Sequence, residues 1–539
     1  IDATNAENHT TILCIAPSQV DPNVIWVGTD DGYLQLTRDG GKSWANLTSK
    51  ITGSPAGAWI PQIEVSTYLA GEAFVVMNHY RRGDWGAYLF HTTDYGQTWN
   101  KIVTDQQVTS FVHCIAQDPV VPELLFLGAD DGMYVSTDKG KSWARFPSKI
   151  FPRVPTLDLK IHPTDHSLAI ATFGRALWVM DNLLPLREIA RNRSVLGKPF
   201  KMFPVQDATQ AQYRSVDGIR FTADAEFKGA NRLGGAVIVA YVKPEARKDS
   251  LATEAPASGK GKQQKKQDGK SADTQKNLVV SDTVKQTEAK KDKNLLKLYV
   301  LADDGDTLRY ISQKLKDGWN GIGWDMRQKG VRYPSRQEPA KDADDPSGQY
   351  VLPGNYMLVG MYEGQRDSVT INVRLDPRLN ITAADLAARN AMLVDFNVEV
   401  SRAHIAFRAL QDVRKDIKMI ESMTINAPDS TQTKLKEKTK ELLKQIDELE
   451  MGFMEPEGLK GIRRETDNLN RYLGGTGAYL NSSLGAPGAN AQEIFAQTQR
   501  EVAKNVQAVN TFLSGPWTTY KAFVEGLDWP LFKQIEMPK

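Results

Sequence analysis

Mainly β with an α-helical C-terminal region is the fold class this 539-residue sequence predicts, and three observations carry it. An eight-residue text recurs three times near the spacing of a four-stranded propeller blade. A stretch of short, alternating apolar segments separated by Gly and Pro follows it. From Ile381 the apolar period changes from 2 to 3.6. The expected order is therefore β-propeller blades over 1–190, an antiparallel β-sandwich over 191–380 and an α-helical bundle region over 381–539.

The repeat comes first in the chain. Thr37-Arg38-Asp39-Gly40-Gly41-Lys42-Ser43-Trp44 returns as Thr92-Thr93-Asp94-Tyr95-Gly96-Gln97-Thr98-Trp99 and as Ser136-Thr137-Asp138-Lys139-Gly140-Lys141-Ser142-Trp143. The shared pattern, S/T-x-D-x-G-x-S/T-W, is the Asp-box. The carboxylate of Asp39, Asp94 or Asp138 can accept backbone N–H bonds across a tight turn, while Gly41, Gly96 or Gly140 permits positive φ. Trp44, Trp99 and Trp143 are expected to pack between neighbouring sheets. The text around the boxes repeats too: Cys14-Ile15-Ala16 leads to Asp30-Asp31-Gly32 as Cys114-Ile115-Ala116 leads to Asp130-Asp131-Gly132. A fourth unit without a box runs from Leu157 to Asp181. Three boxes at blade spacing are a fold signal, and their aspartates read as structural rather than ligand-binding.

These boxes, with the V-I-W-V-G-T-D-D-G run and the T-F-G-R-A-L-W-V-M-D closing unit, resemble the bacterial neuraminidase-repeat (BNR), sortilin-like β-propeller proteins. The resemblance covers roughly residues 5–420. It implies that the second β region, with G-x-N-x-x-x-W-D-x-R around Trp319–Arg327 and Pro353-Gly354-Asn355-Tyr356, is an immunoglobulin-like sandwich followed by helices. Family propellers are usually larger than four blades, so N-terminal blades are expected to lie outside this sequence.

In the second region, strands are expected at Ala236–Val242, Leu295–Leu301, Ile322–Met326, Tyr356–Tyr362 and Ser368–Val373. Residues 185–200 read as the connection out of the propeller. Arg247–Lys293 has no aromatic residue, twelve basic and seven acidic side chains, and much Gln, Ser and Thr, so it reads as a solvated excursion between strands. In the third region Leu393, Phe396, Val400, Ala403, Phe407, Leu410, Ile417 and Ile420 stand at helical spacing, capped by Thr382 with Asp385. A second helix begins at Asp429, with Leu435, Leu442, Ile446 and Leu449 inward. A third is expected over Glu457–Tyr472, and a fourth is capped by Asn490 with Glu493. Pro516–Phe532 closes the chain with an aromatic-rich segment. The stripes read as seams of a bundle packed on itself.

Composition excludes several function classes. No apolar run approaches the ~18 residues of a transmembrane helix. With 67 basic and 65 acidic residues the net charge is +2, too balanced for nucleic acid or an anionic membrane as the main partner. The two cysteines, Cys14 and Cys114, occupy equivalent places in different units and are not expected to pair. The chain opens Ile1-Asp2-Ala3-Thr4 with no basic n-region or apolar h-region, so it is expected to start after a removed leader or within a longer protein.

Enzyme motifs are mostly ruled out. Gly41-Lys42-Ser43 and Gly140-Lys141-Ser142 lack the upstream glycine of a phosphate loop, since Leu36 and Val135 stand there. His162 and His166 have metal-like spacing, but they flank a position that is a turn in the other units, so no metal and no cofactor are expected. Glycoside hydrolysis needs two carboxylates about 5–10 Å apart. Asp30-Asp31 and Asp130-Asp131 are visible pairs, yet a pair that recurs in separate units reads as structural, and no Arg-Ile-Pro segment of sialidases is present.

One loop departs from the repeat. Asn78-His79-Tyr80-Arg81-Arg82-Gly83-Asp84-Trp85 combines two guanidinium groups, a carboxylate and aromatic rings. Arginine forks grip carboxylates or planar groups, and aromatic faces stack on sugars or side chains. His79, Tyr80, Arg81, Arg82, Asp84 and Trp85 are therefore the candidate ligand-binding residues, with Arg175 of the closing unit as a second candidate. The expected function is an extracytoplasmic (periplasmic, surface or secreted), non-catalytic binding or assembly protein whose propeller recognises protein or glycan. Its own N-terminal blades or another cell-envelope protein are further expected partners. The alternative is a sialidase-type glycosidase acting on polysaccharide or glycoprotein glycans.

Overall fold

The computed structural model describes residues 10–211, 234–244, 294–340, 345–456 and 467–527. The chain is mainly β followed by a helical C-terminal region. Three four-stranded antiparallel sheets come first: β1–β4 (Ile12–Pro17, Ile25–Thr29, Leu34–Thr37, Ala45–Asn46), β5–β8 (Trp59–Val65, Ala73–His79, Asp84–Thr92, Asn100–Lys101) and β9–β12 (Val112–Gln117, Leu125–Ala129, Gly132–Ser136, Ala144–Arg145). A three-stranded sheet, β13–β15 (Thr156–Ile161, Leu168–Thr172, Leu177–Met180), is the fourth unit.

Each sheet is an up-and-down meander packed face to face on the next. Leu34 and Leu36 of the first unit share a core with Ala73, Val75 and Met77 of the second. Phe74, Val76 and Leu89 of the second share one with Ile115, Leu125 and Leu127 of the third. Phe126 and Met133 of the third meet Leu159 and Ile170 of the fourth. Because β6 is covered on both faces, Ala73–Met77 is an unbroken buried apolar run rather than an alternating one.

Register aligns the units residue by residue. Cys14 pairs with Gly28, Gln62 with Val76, Cys114 with Gly128, and Asp158 with Ala171. The first three of these staple one inner strand to the next unit's. Cys14 Sγ lies 3.3 Å from Ile60 O, Gln62 both donates to Ile115 O at 3.1 Å and accepts from Ile115 N at 2.6 Å, and Cys114 Sγ lies 3.6 Å from Thr156 O. Both thiols are free, and burial pushes the Cys14 thiol up to about 11.

Among the described residues, the outer faces of the end units lack such a neighbour. Ile15 is 64% exposed where its equivalent Ile115 is 0%, and Leu177 is 66% exposed where its equivalent Met133 is 1%. The same frame corrects one expectation. Trp99 packs edge-on against Trp26 of the preceding unit at 6.1 Å, and Trp143 donates its indole N–H to Ile102 O at 2.8 Å. Trp44 is 47% exposed, not packed between sheets, because no described unit precedes the first.

Residues 185–200 lead from the fourth sheet to the second β region and carry a helix. Helix α1 (Leu184–Arg191) docks Arg187 beneath the third unit. A sandwich follows, in which β16 (Phe200–Met202), β18 (Ala236–Val242) and β21 (Gly318–Trp324) form one sheet. The other runs β17 (Ala208–Gln210), β25 (Gln365–Leu375), β24 (Gly354–Tyr362), β19 (Leu295–Leu301), β20 (Thr307–Lys314). β22 (Arg327–Lys329) and β23 (Ser347–Tyr350) add a two-stranded ribbon. Ile238, Ile322 and Trp324 of one sheet and Leu298, Leu358 and Ile371 of the other fill the shared core. The strand expected at Ile322–Met326 in fact ends at Trp324, since Met326 turns the chain with φ 58°. Arg247–Lys293 lies outside the described residues.

Five helices complete the described chain: α2 (Ala383–Met423), α3 (Asp429–Phe453), α4 (Leu469–Asn481), α5 (Ala489–Phe512) and α6 (Thr518–Glu525), where α2 to α6 bury one common core. Thr382 and Asp385 form the expected capping box. Of the helix expected over Glu457–Tyr472, the described part is Asp467–Tyr472: Asp467 and Asn468 are not helical and Leu469–Tyr472 open α4. Helix α4 starts at Leu469 under an Asn468 cap and runs through Gly474, Gly475 and Gly477, glycines that argue against a helix in sequence, of which Gly475 and Gly477 allow close approach of Ile494 and Tyr333. Residues 457–466 lie outside the described residues. The cap of α5 is Gly488 with no side-chain bond, so Asn490 and Glu493 do not form a box. Pro516 sits inside a π-type turn over Leu513–Trp517 that joins α5 to α6, while Trp529 and Phe532 fall outside the described residues. Among the described residues, no helix is long and apolar enough to cross a membrane.

Candidate functional site

The Asp-boxes have one geometry three times over. Asp39 Oδ1 accepts Ser43 N at 2.9 Å and its Oδ2 accepts the Ser43 hydroxyl at 2.6 Å, while Thr37 donates to Oδ1 at 2.8 Å and receives Gly41 N at 2.9 Å. Asp94 holds Thr98, and Asp138 holds Ser142, in the same way. Hydrogen bonds from Thr98 and Thr92 hold the Asp94 carboxyl down at about 2. Gly41, Gly96 and Gly140 have φ of 93°, 74° and 83°, and the residue before each, Gly40, Tyr95 or Lys139, is left-handed as well. A Cβ on Gly96 would stand 2.6 Å from Leu47 of the preceding unit, so glycine is needed there for space as well as for φ.

At one end of the sheets the turns after β2, β6 and β10 come together. The loop after β6 is a short 3-10 turn over Tyr80–Arg82, ended by left-handed Gly83. The Arg81 guanidinium lies on the Trp59 ring at 3.3 Å and beside the Tyr80 ring at 4.5 Å. Tyr80 stacks on Phe111 at 4.5 Å, Trp85 leans on Phe111 at 5.7 Å, and His113 meets Phe111 edge-on at 4.9 Å. The result is a continuous row of planar groups across two units. Trp85, at its outer edge, is 62% exposed. A small cavity beside the row is bounded by Asp30, Gly57, Trp59, Asn78, His79, Arg81 and Arg82.

The loop's carboxylate has a different task. Asp84 Oδ1 accepts Gly86 N at 3.0 Å and Oδ2 accepts the Tyr88 hydroxyl at 2.9 Å; burial first, and then Asp84, push that phenol up to about 12. The Asp-Asp-Gly turns are also engaged. Asp30 Oδ1 accepts Thr11 N at 2.8 Å, and Asp131 holds Arg145 Nη1 at 2.9 Å and the Thr109 hydroxyl at 2.8 Å. His113 Nε2 lies 3.3 Å from Asp130 Oδ1, and burial lowers the imidazole's pKa against that carboxylate's pull.

Thus the structure brings His79, Tyr80, Arg81, Arg82 and Trp85 to one surface and uses Asp84 to shape the loop. Arg175 is exposed in a separate turn, where its carbonyl accepts the Trp178 indole N–H at 2.8 Å, and no contact joins it to the 78–85 loop among the described residues. Sequence reading missed Trp59, Phe111 and His113. Aligning Cys114 with Cys14 sets Phe111 and His113 against Thr11 and Leu13, a departure from the repeat that could have marked them.

Two other candidates separate cleanly. His162 Nδ1 faces the N–H of Asp165 at 3.2 Å inside a turn, and His166 Nδ1 lies 2.9 Å from Arg187 Nη1, so the pair shares no site. No group of three or more His, Cys, Asp or Glu among the described residues could hold a metal ion. On the inner strand of the second unit, burial pushes the Glu64 carboxyl up to about 7, despite the Gln117 N–H 3.4 Å away and the opposing charge of Lys160, with Asp158 adding like charge.

Comparison with known proteins gives the following. A family model described as sortilin, neurotensin receptor 3, matches residues 87–182. The oligoxyloglucan-reducing end-specific xyloglucanase of Emericella nidulans is 32% identical over 144 residues, covering 24% of this chain. The chain spans 16% of that relative's length. Among solved structures, YCF48 bound to a D1 peptide is 20% identical over 32% of this chain and 51% of its own, with a TM-score of 0.25. A GH74 xyloglucanase from Xanthomonas campestris is 20% identical over 32% of this chain and 28% of its own, with a TM-score of 0.26.

Proposed function

We propose that the blade region is a non-catalytic recognition platform, working outside the cytoplasm, whose contact surface for protein or glycan is the row Arg81, Tyr80 and Trp85 with Arg82 and His79 beside it. One observation carries this reading: a single irregular loop holds two arginines and two aromatic rings at one end of the sheets, while Asp30 and Asp131 of the neighbouring turns are taken up by Thr11, Thr109 and Arg145. Arginine and aromatic side chains held rigid by neighbours lose little entropy on binding. The domains would divide as blades to about 190, an immunoglobulin-like sandwich to about 380, and helices beyond it as spacer or dock. The uncovered faces around Ile15 and Leu177 would take further sheets of the same box-bearing kind, or another envelope protein, since they are the two halves of the seam built three times inside.

The test is a glycan array and a peptide library probed with the chain and with the double variant Arg81→Ala, Arg82→Ala. Binding lost in the variant at an unchanged melting temperature supports the platform. Binding that survives the double substitution overturns it.

A second reading, glycoside hydrolysis, is favoured by Glu64, whose carboxyl burial pushes up to about 7 as a general acid's would be, with Lys160 and Asp158 as its charged neighbours. The xyloglucanase relative is an enzyme by name. Release of reducing ends from oligosaccharides by the chain, abolished in Glu64→Gln, is the result that reading requires.

A further inference from the structure

Helix α2 has a second apolar face that the bundle does not use. Phe396, Val400, Phe407 and Leu410 enter the common core. On the opposite side Ala387, Ala391, Val394, Val398 and Ile405 are exposed, the last three by 48%, 53% and 68%. Their spacings are four, three, four and seven residues, and Ser401 divides the last into three and four. Strict alternation of four and three is the seam that one helix offers to another, not the scattered exposure of an ordinary surface helix. Ser401 fits such a seam because its hydroxyl is spent on Asn397 O at 2.8 Å. Past Ile405 the line continues as Arg408 and Asp412, where Arg408 reaches Glu338 at 3.0 Å.

The seam matches itself when reversed, which is what pairing about a two-fold axis requires. With the axis between Val398 and Ser401, each Val394 faces the partner's Ile405 and each Val398 faces the partner's Ser401. The small side chains Ala391 and Ala387 then stand opposite the partner's Arg408 and Asp412, where a larger residue would collide with them.

Charge matches in the same register. Asp395 and Arg402 are exposed on one flank of the seam, one heptad apart. Reversal sets Asp395 beside the partner's Arg402, and by symmetry it does so twice. Parallel pairing would set them beside the partner's Asn390 and Asn397, with no charge to meet. The bonds of Arg402 to Glu399 run through Nη1, so the rest of the fork can serve a second carboxylate. Exposed ion pairs contribute little energy, so the apolar seam supplies affinity and the charges select direction.

We propose that the exposed face of α2 is the interface of a homodimer, two copies pairing antiparallel with Asp395 of each against Arg402 of the other. This is independent of the contact surface at Arg81.

Sedimentation-velocity ultracentrifugation of the full chain, from low to high micromolar concentration, tests it. A concentration-dependent dimer is expected. Val398→Glu and Ile405→Glu should each weaken it tenfold or more, with circular-dichroism melts of dilute protein unchanged because both residues are exposed in the single copy. Asp395→Arg should weaken it by a smaller factor, and Asp395→Arg combined with Arg402→Asp should recover association. A chain that stays monomeric throughout overturns the proposal, and so does a dimer indifferent to Val398→Glu and Ile405→Glu. A dimer broken by those two but unmoved by Asp395→Arg overturns the antiparallel register. A monomer that floats with phosphatidylcholine–phosphatidylglycerol vesicles, and no longer does so as Ile405→Glu, gives the face to a lipid surface and overturns the dimer.

Discussion

Arg187, on the helix that leaves the fourth sheet, buries its guanidinium against Asp118 of the third: Nε lies 3.0 and 2.9 Å from the two carboxylate oxygens. Their side chains are 2% and 0% exposed. Asp118 also accepts the N–H groups of Val120 and Val121 at 2.8 Å, and Arg187 Nη1 reaches His166. The pair therefore locks three elements: the β9–β10 turn, the β13–β14 turn and α1. It fixes the direction in which the chain departs toward the sandwich.

Removing one partner strands the other. Arg187→Ala should cost about 3–5 kcal/mol, because the buried Asp118 carboxyl would be left without its partner. Urea unfolding monitored by tryptophan fluorescence measures the loss. Arg187→Lys should recover little of it, since the fork that spans Asp118 and His166 is gone.

Glu72 gives an acid-sensitive seam. It bonds His91 of its own sheet and Lys139 of the third unit's box, both at 2.8 Å. Burial raises its pKa, but the bonds from His91, Lys139 and Ser66 outweigh it and hold the carboxyl at about 2. A folded pKa below the unfolded value near 4.3 means stability that is complete above that value and lost as pH falls through about 2. The expected loss is on the order of 2–3 kcal/mol. Glu72→Gln should flatten this part of the pH–stability curve; an unchanged slope would refute the assignment.

Glu64 has the opposite sign. Its folded pKa of about 7 lies above the unfolded one, so the folded state binds more protons between roughly pH 4.5 and 7 and stability declines as pH rises through that window. Glu64→Gln should melt like the parent at pH 4.5 and above it at pH 8, by about 2–3 kcal/mol.

The repeat frame predicts paired substitutions with unequal outcomes. Met133→Asp places a charge in the seam between the third and fourth units and should unfold the blades. Leu177→Asp, at the equivalent but uncovered place, should change stability by less than about 0.5 kcal/mol. Equal losses in thermal melts of the two variants would contradict the register equivalence.

Among the boxes, Asp138→Ala should be the costliest, about 1–3 kcal/mol, because its turn is the most enclosed and Arg193 also faces it. Asp39→Ala, in the exposed first unit, should be the mildest, which differential scanning calorimetry can rank.

The repeat, the turn chemistry of its boxes and the change to helical period were written in the sequence, because each depends on residues a few positions apart. Asp39, Gly41 and Ser43 close a turn whatever surrounds them, and Thr382 with Asp385 caps a helix from within its own first turn. Tertiary structure decided what depends on neighbours far along the chain. Trp44 and Trp143 share a motif, yet one is exposed and the other buried, since burial is set by the preceding sheet. Gly474, Gly475 and Gly477 lie in a helix because the burial of Leu469, Leu473 and Leu480 against the other helices outweighs their propensity. Arg81, Arg82 and Trp85 stood out locally, but Trp59, paired beside Asn78 in the same sheet, and Phe111 of the next unit joined that surface only when the strands paired and two sheets stacked. Stacking is a long-range event that burial energy selects, and no window of sequence contains it.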